Sequence, residues 1–447
     1  NEHMNNARYI AALEISSSKI IGAVGRARPG GQTDVLAIES EKSDDCVHYG
    51  IIQNLEEAAA RIRSVISKLE SKPEVAPRKI RSVYVGLSGL SLHSVITNVD
   101  VRLPEETEIT DSVLDTLRDK ALTSTVDSDY EVIDAVPRSF KIGKLETTTP
   151  KGSIGQDVSA TYDLIVCRRE MCRNISRTLP EKLGIRSEGF IVTGMATGHI
   201  LLSDEEKRLG CMLVDIGAET STISIYRYGH LQFFATLPLG GRNITRDLTS
   251  LNMLEQRAEE IKRTSGNAIA SENPPQLNLN GLKLSDVSNI IVARSEEIVT
   301  NIIETISHAG LKENDLPGGI VCIGGGSKLN GMLELIANKS NLPVRRGQLP
   351  SYVRLEDMRT SSADSIQVAS ILYEGATLND AECLETPQKA EIPVTGTANA
   401  PADERTGAAG PETQMPPKPR RRGLFDRIKQ GIGGYFRPDD EDDSDLY

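Results

Sequence analysis

The chain has 447 residues, too many for one ordinary hydrophobic core, so its length predicts two to four domains. Its net charge of −12 argues against a nucleic-acid-binding protein, and an aromatic content of 4% without tryptophan argues against an aromatic-cage or carbohydrate-binding protein. No apolar run reaches the roughly 18 residues of a transmembrane helix, and the N-terminus lacks the apolar core of a signal peptide.

A β-hairpin opens the chain. Its strands are expected at residues 9–15 and 20–24, and the polar residues 16–19 form the bend. Apolar residues at helical spacing predict a helix over residues 55–68, and a further strand follows at 82–87. These elements indicate the first part of an α/β core.

A different pattern occupies residues 86–165. Its residues predict several strands around a helix that opens at Thr110, with Thr or Asp as the N-cap. The strands are expected at residues 95–103, 131–136, 140–145 and 158–167. This region is therefore predicted to be a small inserted α+β domain.

The hairpin pattern of the N-terminus returns at residues 211–226. This repetition predicts two similar halves that face each other. The later elements expected are helical regions at 248–263 and 284–306, a polar loop at 273–281, a buried strand at 320–323 and an apolar helix at 365–373.

The six cysteines are scattered and form no CxxC pair. Cys167 and Cys172 are the nearest two, and no histidine lies close to them in sequence. We therefore expect buried thiols in a reducing compartment and no zinc site.

Asp215 stands at the end of a predicted strand, before the small-residue turn of Gly217 and Ala218. Such a turn lets backbone N–H groups approach an anion, and Thr220 and Ser221 add hydroxyl donors. An acid beside a phosphate is unfavourable unless a cation lies between them, so Asp215 indicates a hydrated Mg²⁺. The alternative is a purely structural turn.

Three further elements favour a phosphate site. Glu14 precedes the serine turn of the first hairpin, which can hold phosphates from the opposite side. The glycines at 324–326 follow an apolar strand and let a base or ribose pack against bare backbone. Glu259 and Lys262 lie on one helix face and can clamp ribose hydroxyls and a purine edge. The alternative for this pair is a solvated ion pair worth about 0.2–0.5 kcal/mol.

The order of hairpin, hairpin, Glu-x-x-Lys helix and Gly-Gly-Gly turn resembles the actin, Hsp70 and sugar-kinase ATPase superfamily. Within it, the chain is similar to the bacterial cell-division family FtsA, over about residues 8–376 and the tail. The motifs that carry the resemblance are Gly86-Leu-Ser-Gly89, Val136-Pro-Arg-Ser-Phe140, Leu239-Gly-Gly241 with Thr245-Arg-Asp247, and Ala258-Glu-x-x-Lys262.

This resemblance implies an α/β, actin-like two-lobed fold with duplicated ribonuclease-H-like subdomains. The first lobe carries the inserted α+β domain, and a disordered tail ends in an amphipathic helix. The implied segments are the first-lobe core (1–85 and 166–207), the inserted domain (86–165), the second-lobe core (208–241 and 316–358), the second-lobe small subdomain (242–315), a first-lobe C-terminal helix (359–376), a linker (377–422), a membrane helix (423–437) and an acidic tail (438–447).

The resemblance also implies ATP or ADP between the lobes, with Mg²⁺ held through water by Asp215 and with Glu14 as a second candidate ligand. The implied nucleotide-binding residues are Glu14, Ser16, Ser17, Ser18, Lys19, Asp215, Gly217, Ala218, Glu219, Thr220, Gly240, Gly241, Glu259, Lys262, Arg263, Gly324, Gly325, Gly326 and Ser327.

The sequence departs from the superfamily pattern at three of its positions. Glu14 and Ser16 stand where the first hairpin usually has Asp and Gly, and Thr193 stands where relatives have an acid before a proline. A candidate general base is therefore missing. These departures favour a nucleotide-binding scaffold with at most slow ATP hydrolysis, and we assign no catalytic residue.

Residues 378–419 are rich in Pro, Ala, Thr and Glu, a composition that predicts a disordered linker. Beyond the linker, an apolar stripe beside basic residues is typical of an interfacial membrane helix. The alternative is a helix that docks on the folded body or on a partner. The residues expected to bind membrane are Arg421, Arg422, Leu424, Phe425, Arg427, Ile428, Lys429, Ile432, Tyr435 and Phe436.

The resemblance implies a membrane-bound scaffold at the division site, on the cytoplasmic face of the bacterial inner membrane. Its implied partners are the tubulin-like protein FtsZ, further copies of itself in actin-like filaments, anionic lipid, and other division proteins through the inserted domain. The alternatives are a pilus-associated FtsA-like assembly ATPase and a small-molecule kinase of the same superfamily.

Overall fold

The structure, a computed structural model, describes residues 7–270, 278–279, 282–356 and 362–386. Its strands are β1 (Arg8–Ile15), β2 (Lys19–Arg28), β3 (Gln32–Lys42), β4 (Val47–His48), β5 (Ile51–Ile52), β6 (Lys79–Ile80), β7 (Ser82–Leu87), β8 (His93–Glu108), β9 (Tyr130–Ile142), β10 (Leu145–Thr147), β11 (Ile154–Arg168), β12 (Arg186–Val192), β13 (Cys211–Ile216), β14 (Ser221–Arg227), β15 (His230–Leu237), β16 (Asn278–Leu279), β17 (Leu282–Lys283), β18 (Ile320–Ile323), β19 (Val344–Arg346), β20 (Val353–Leu355) and β21 (Leu384–Glu385). Its α-helices are α1 (Leu55–Glu70), α2 (Asp111–Leu122), α3 (Arg169–Ser176), α4 (Thr193–Leu201), α5 (Asp204–Leu209), α6 (Gly241–Leu248), α7 (Glu255–Ser265), α8 (Leu284–His308), α9 (Met332–Ser340) and α10 (Ser362–Leu378).

The first lobe is built on a six-stranded sheet in the order β12-β7-β1-β2-β3-β20. The predicted hairpin is present: β1 and β2 are antiparallel, and Glu14 pairs with Ile21. On its other side β1 runs parallel to β7, with Glu14 opposite Gly86. Helix α1 starts where the Asn54 side chain accepts the N–H of Glu57, which satisfies one of the unpaired donors of its first turn.

The inserted domain is an antiparallel sheet in the order β10-β9-β11-β8, covered by α2. It has a hydrophobic core of its own, in which Leu117, Phe140 and Tyr162 are buried. Strand β8 also pairs with β15 of the second lobe, where Ala235 lies opposite His93. The inserted domain and the second lobe therefore share one nine-stranded sheet.

The second lobe repeats the hairpin arrangement with β13 and β14, and β13 runs parallel to β18. A second core lies between this sheet and helices α6 to α9. The helical region predicted over 248–263 starts late: α6 ends at Leu248 and α7 begins only at Glu255, because Asn252 between them adopts a left-handed conformation with φ of 60°. Within the described residues, no helix is long and apolar enough to cross a membrane.

The chain returns to the first lobe earlier than predicted. Strand β20, inside the segment 316–358 expected in the second lobe, pairs with β3 of the first-lobe sheet. The linker expected from residue 377 also begins too early, because Leu384 pairs with Ile80 in β21 and Cys383 is fully buried. The predicted linker after residue 386, the membrane helix and the acidic tail lie outside the described residues.

Candidate functional site

A cleft of about 1290 Å³ lies between the two lobes. The turns of both hairpins, the start of α6, the helix α7 and the start of α10 contribute its walls. The predicted nucleotide residues therefore come together from parts of the chain that are far apart in sequence.

The turn of the second-lobe hairpin is closed by the Gly217 N–H, which donates to the Thr220 carbonyl at 2.8 Å. The Gly241 N–H then donates to the Gly217 carbonyl at 2.9 Å, and the Arg242 N–H donates to the Ala218 carbonyl at 2.7 Å. The start of α6 is thus fastened directly onto this turn. A helix N-terminus and an open turn at one point form a favourable environment for an anion.

The glycine-rich turn after β18 lies against the same hairpin. Gly324 has a φ of +86°, and a Cβ there would come within 2.3 Å of Asp215 Oδ1 and 2.5 Å of the Ile216 carbonyl oxygen. Only glycine fits such a position without strain. Gly325 faces open space with no atom within 4 Å of a Cβ, so its backbone is accessible from the cleft.

The first-lobe turn uses serines in place of glycine. The Ser16 N–H and hydroxyl both donate to the Lys19 carbonyl, at 3.1 and 2.8 Å. The Ser17 hydroxyl accepts the Gly50 N–H at 3.4 Å. The Lys19 ammonium donates to the Asp364 carbonyl at 3.4 Å. This turn lines the cleft opposite the second-lobe hairpin.

Two carboxylates line the cleft, the buried Glu14 and the half-buried Asp215. Burial and the neighbouring Asp215 raise the pKa of Glu14 to about 7, against a smaller opposing effect of Lys19. Burial also raises the pKa of Asp215, although Gln367 donates to both of its oxygens at 3.3 and 3.1 Å. Two acids that are costly to ionise side by side fit a divalent cation, since oxygen ligands suit Mg²⁺.

Helix α7 brings Glu259 and Lys262 to the cleft, and they are not a solvated surface pair. The Lys262 ammonium donates to Glu259 at 2.6 Å, to the Thr245 hydroxyl at 2.8 Å and to the Gly241 carbonyl at 2.9 Å. Burial opposes the charge of Glu259, but Lys262 and Thr245 outweigh it and lower its pKa. Burial lowers the pKa of Lys262 despite its ion pair. The two side chains are therefore held in a fixed position at the wall of the cleft.

Glu219 lines the cleft, but its carboxylate is already engaged. It accepts the Tyr49 N–H at 2.9 Å and Arg242 Nη1 at 2.9 Å, while Arg242 Nη2 donates to the Ser17 carbonyl at 3.2 Å. Burial opposes its charge, but the Tyr49 N–H, Ser17 and Arg242 outweigh that effect and lower the pKa of Glu219. Its role in this arrangement is to link the two lobes.

Two predicted site residues do not line the cleft. Ser327 is buried, and its hydroxyl donates to the Gly324 carbonyl at 2.7 Å, which stabilises the glycine turn from behind. Gly240 lies below the second hairpin, where a Cβ would come within 2.5 Å of the Ala218 carbonyl oxygen. Both therefore shape the site without facing it.

The structure adds residues that the sequence did not single out. Gln367 on α10 holds the Asp215 carboxylate, and Arg242 joins the two hairpins. The sequence around Gln367 and Arg242 does not indicate these roles, because the residues that they contact are distant in sequence and are brought close only by the fold. Thr193, where the expected acid is missing, is fully buried at the start of α4 and lies outside the cleft lining.

Comparison with known proteins agrees with this architecture. The family described as "Cell division protein FtsA" matches residues 212–365, and the family described as "SHS2 domain inserted in FTSA" matches residues 89–166. Among solved structures, a chain of the "PilM-PilN type IV pilus biogenesis complex" is similar at 18% identity with a TM-score of 0.57, over 82% of this chain and 98% of that one. At this identity the likeness concerns the fold alone.

Two relatives are similar over most of their length. The cell division protein FtsA of Porphyromonas gingivalis is 31% identical over 369 residues, covering 79% of this chain and 74% of the relative. The FtsA of Streptococcus pneumoniae is 31% identical over 339 residues, covering 73% and 72%. With its actin-like fold and inserted SHS2 domain, the chain belongs to the FtsA family of cell-division proteins.

Proposed function

We propose that this protein is an ATP-binding, actin-like scaffold that polymerises on the cytoplasmic membrane and tethers FtsZ there. The inserted domain recruits other division proteins. The observation that supports this proposal best is the inter-lobe cleft, in which two hairpin turns, a glycine turn and the acids Glu14 and Asp215 converge in a chain of the FtsA family.

In this proposal each wall of the cleft holds a different part of the nucleotide. The two hairpin turns and the start of α6 hold the phosphates, since residues of all three line the cleft and the start of a helix favours an anion. Asp215 and Glu14 hold a hydrated Mg²⁺ between them and the phosphates. Glu259, Lys262 and the backbone around Gly325 hold the ribose and base.

The proposed scaffold binds ATP more readily than it hydrolyses it. Thr193 offers no carboxylate, and its hydroxyl is buried away from the cleft. Efficient activation of a water molecule needs a base within reach of it. A bound nucleotide then serves mainly to hold the two lobes in one arrangement.

The membrane part of the proposal rests on the sequence of residues 421–436. Insertion of its apolar residues gains roughly 1.5–3 kcal/mol for each large side chain, and each basic residue near anionic lipid adds about 1 kcal/mol. The glycines at 431, 433 and 434 each cost about 1 kcal/mol in a helix. A weak anchor of this kind works best in many linked copies, which polymerisation supplies.

Co-sedimentation with anionic phospholipid vesicles tests the proposal, with and without ATP, Mg²⁺ and purified FtsZ. The full-length protein should pellet with the vesicles and carry FtsZ with it. The variant Phe425→Glu should lose vesicle binding, because it places a charge on the apolar stripe. Gln430→Glu is the matched control, since it adds the same charge on the polar face and should bind nearly as well. Equal binding by both variants would contradict the membrane proposal.

The nucleotide part is tested separately by equilibrium binding of ATP and by steady-state phosphate release. We expect Mg²⁺-dependent binding with slow turnover. Rapid transfer of phosphate to a small-molecule acceptor would instead support the alternative of a kinase.

A further inference from the structure

A cluster of two thiols and a carboxylate lies where the inserted domain joins the first lobe. Cys167 is near the end of β11 and lies opposite Glu131, near the start of β9. Cys172 is in α3, the helix that follows β11 directly. One residue of the cluster thus belongs to the first lobe, and two belong to the sheet of the inserted domain.

The distances within the cluster suit a metal ion. The sulfur and carboxylate oxygen atoms all lie within 4.8 Å of one another, and the two Sγ atoms are 3.9 Å apart. Tetrahedral zinc with Zn–S bonds of about 2.3 Å places two sulfur ligands about 3.8 Å apart. A disulfide needs about 2.05 Å, so the cysteines are present as separate thiols.

The charge and burial of the cluster point the same way. Cys167 and Cys172 are buried, and Glu131 is half-buried. In the part of the chain that the structure describes, no ion pair links Glu131 to a Lys, Arg or His side chain. A partly desolvated carboxylate against two thiols gains a charge partner only if a cation enters.

A pocket reaches the cluster at Glu131. It has a volume of about 240 Å³ and is lined by residues 122–126, Val132 and Arg169 as well as Glu131. It is large enough to admit a water molecule as a fourth ligand. Arg169 lines the same pocket, and its Nε donates to the Ser128 carbonyl at 2.9 Å.

We propose that Glu131, Cys167 and Cys172 bind a Zn²⁺ ion that fastens the inserted domain to the first lobe. Thiolate ligands select zinc over Mg²⁺ and Ca²⁺, which prefer an all-oxygen environment. Binding releases the thiol protons, because the metal takes thiolate sulfur. The expectation of no zinc site came from cysteine spacing and missing histidines, whereas the third ligand here comes from the neighbouring strand.

Cobalt substitution tests the site in the full-length protein, kept reduced and stripped of metal. Co²⁺ bound by thiolate gives a sulfur-to-metal charge-transfer absorption, which oxygen-ligated metal in the nucleotide cleft or in the acidic tail cannot give. We expect one equivalent of Co²⁺ to produce this band and Zn²⁺ to displace it. Absence of the band would overturn the proposal.

Variants identify the ligands. The double variant Cys167→Ser, Cys172→Ser should lose the band, and Glu131→Gln, which is half-exposed and safe for folding, should weaken Co²⁺ binding at least about tenfold. Cys46→Ser and Cys383→Ser are matched controls, since each removes a buried thiol elsewhere and should leave the band intact. An unchanged band in the double variant would contradict the assignment.

Two further measurements distinguish zinc at this cluster from a disulfide and from zinc bound at a different place. The protein as purified, unfolded without any reductant, should titrate as six free thiols. A count of four that rises to six on reduction, and that does not occur in the double variant, would mean that Cys167 and Cys172 form a disulfide, which overturns the zinc proposal. Zn²⁺ should raise the Tm of the wild-type protein and of both controls but not of the double variant. Equal Tm shifts in all of them would place the zinc elsewhere.

Discussion

The two hairpins of the cleft share one backbone arrangement but differ in the residues that surround their turns. In both, the first strand is antiparallel to the second and parallel to a third, with Glu14 opposite Gly86 in one lobe and Asp215 opposite Ile323 in the other. Both turns are closed by the same backbone hydrogen bond, from Ser16 to Lys19 at 3.1 Å and from Gly217 to Thr220 at 2.8 Å. The fold therefore preserves the turn whether its first residue is serine or glycine.

The difference lies in what surrounds each turn. Beside Asp215 the parallel strand ends at Ile323 and Gly324 follows it, whereas the corresponding position after Gly86 is Leu87, which is still in the strand. The start of α6 is fastened to the second-lobe turn, and Asp215 is held by Gln367. The second lobe thus supplies the more rigid half of the site, while the first lobe supplies hydroxyls and an acid whose charge depends on its neighbours.

The largest effect is expected from Gly324→Ala. The change places a Cβ against Asp215 and the Ile216 carbonyl at a positive φ. We expect a loss of about 3–4 kcal/mol in the free energy of unfolding, from backbone strain and overpacking together. Urea denaturation measures it. Gly325→Ala, where a Cβ meets nothing within 4 Å, is the control and should change stability by less than about 0.5 kcal/mol. Equal losses would mean that the second hairpin does not depend on this glycine.

Glu14 predicts a pH dependence of stability in the metal-free protein. Folded Glu14 keeps its proton up to about pH 7, whereas in the unfolded chain its pKa is near 4.5. The folded state then binds more protons between these values, so stability falls as pH rises from 4.5 to 7. Removing the titrating group with Glu14→Gln should reduce this fall by about 2–3 kcal/mol. Denaturation at several pH values in a chelator measures it, and parallel curves for both proteins would contradict it.

Glu219 joins the two hairpins, so Glu219→Gln tests how strongly they depend on each other. Its buried carboxylate holds the Tyr49 N–H and two arginines. Loss of the charge should cost about 2 kcal/mol and loosen the first-lobe turn, seen as faster amide exchange at Gly50. Glu255→Gln is the control, since Glu255 is half-exposed and 3.9 Å from Arg242. A stability equal to that of the control would mean that the lobes do not depend on this link.

The smallest effect expected is the difference between Asp215 and Glu14 in their contribution to ATP binding. Asp215→Asn should weaken binding of ATP with Mg²⁺ about tenfold, the loss of one charge partner for the metal, or about 1.4 kcal/mol. Glu14→Gln should weaken it less at neutral pH, because the wild-type residue is partly protonated there. Calorimetric titration with and without Mg²⁺ measures both. The reverse order would mean that the first hairpin dominates metal binding.

Much of the cleft could be predicted because its turns carry local signals. An apolar strand followed by small residues and an acid marks Asp215 and Gly217, and the run ending in Gly326 is visible from composition alone. The repeated hairpin then indicates two halves. These features depend on residues adjacent in sequence, which a periodic pattern can show.

The rest depends on contacts between distant residues. Gln367 lies between the apolar Ile366 and Val368 of α10, and nothing near it in sequence indicates an acid from the second lobe. The chain after residue 377 looks like linker by composition, yet Glu382 accepts the Tyr9 N–H at 3.0 Å and Cys383 is buried against the first lobe. The break between α6 and α7 turns on Asn252, one of the few residues that adopt a left-handed conformation readily.

The shared nine-stranded sheet has a mechanical consequence. The inserted domain is covalently part of the first lobe, but its strand β8 is bonded to β15 of the second lobe, where the Phe234 N–H donates to the Ser94 hydroxyl at 3.0 Å. If the lobes rotate about the cleft, this seam must either slip or drag the inserted domain with it. The orientation of the inserted domain would then change with the opening of the cleft, although the domain itself lies away from the nucleotide site.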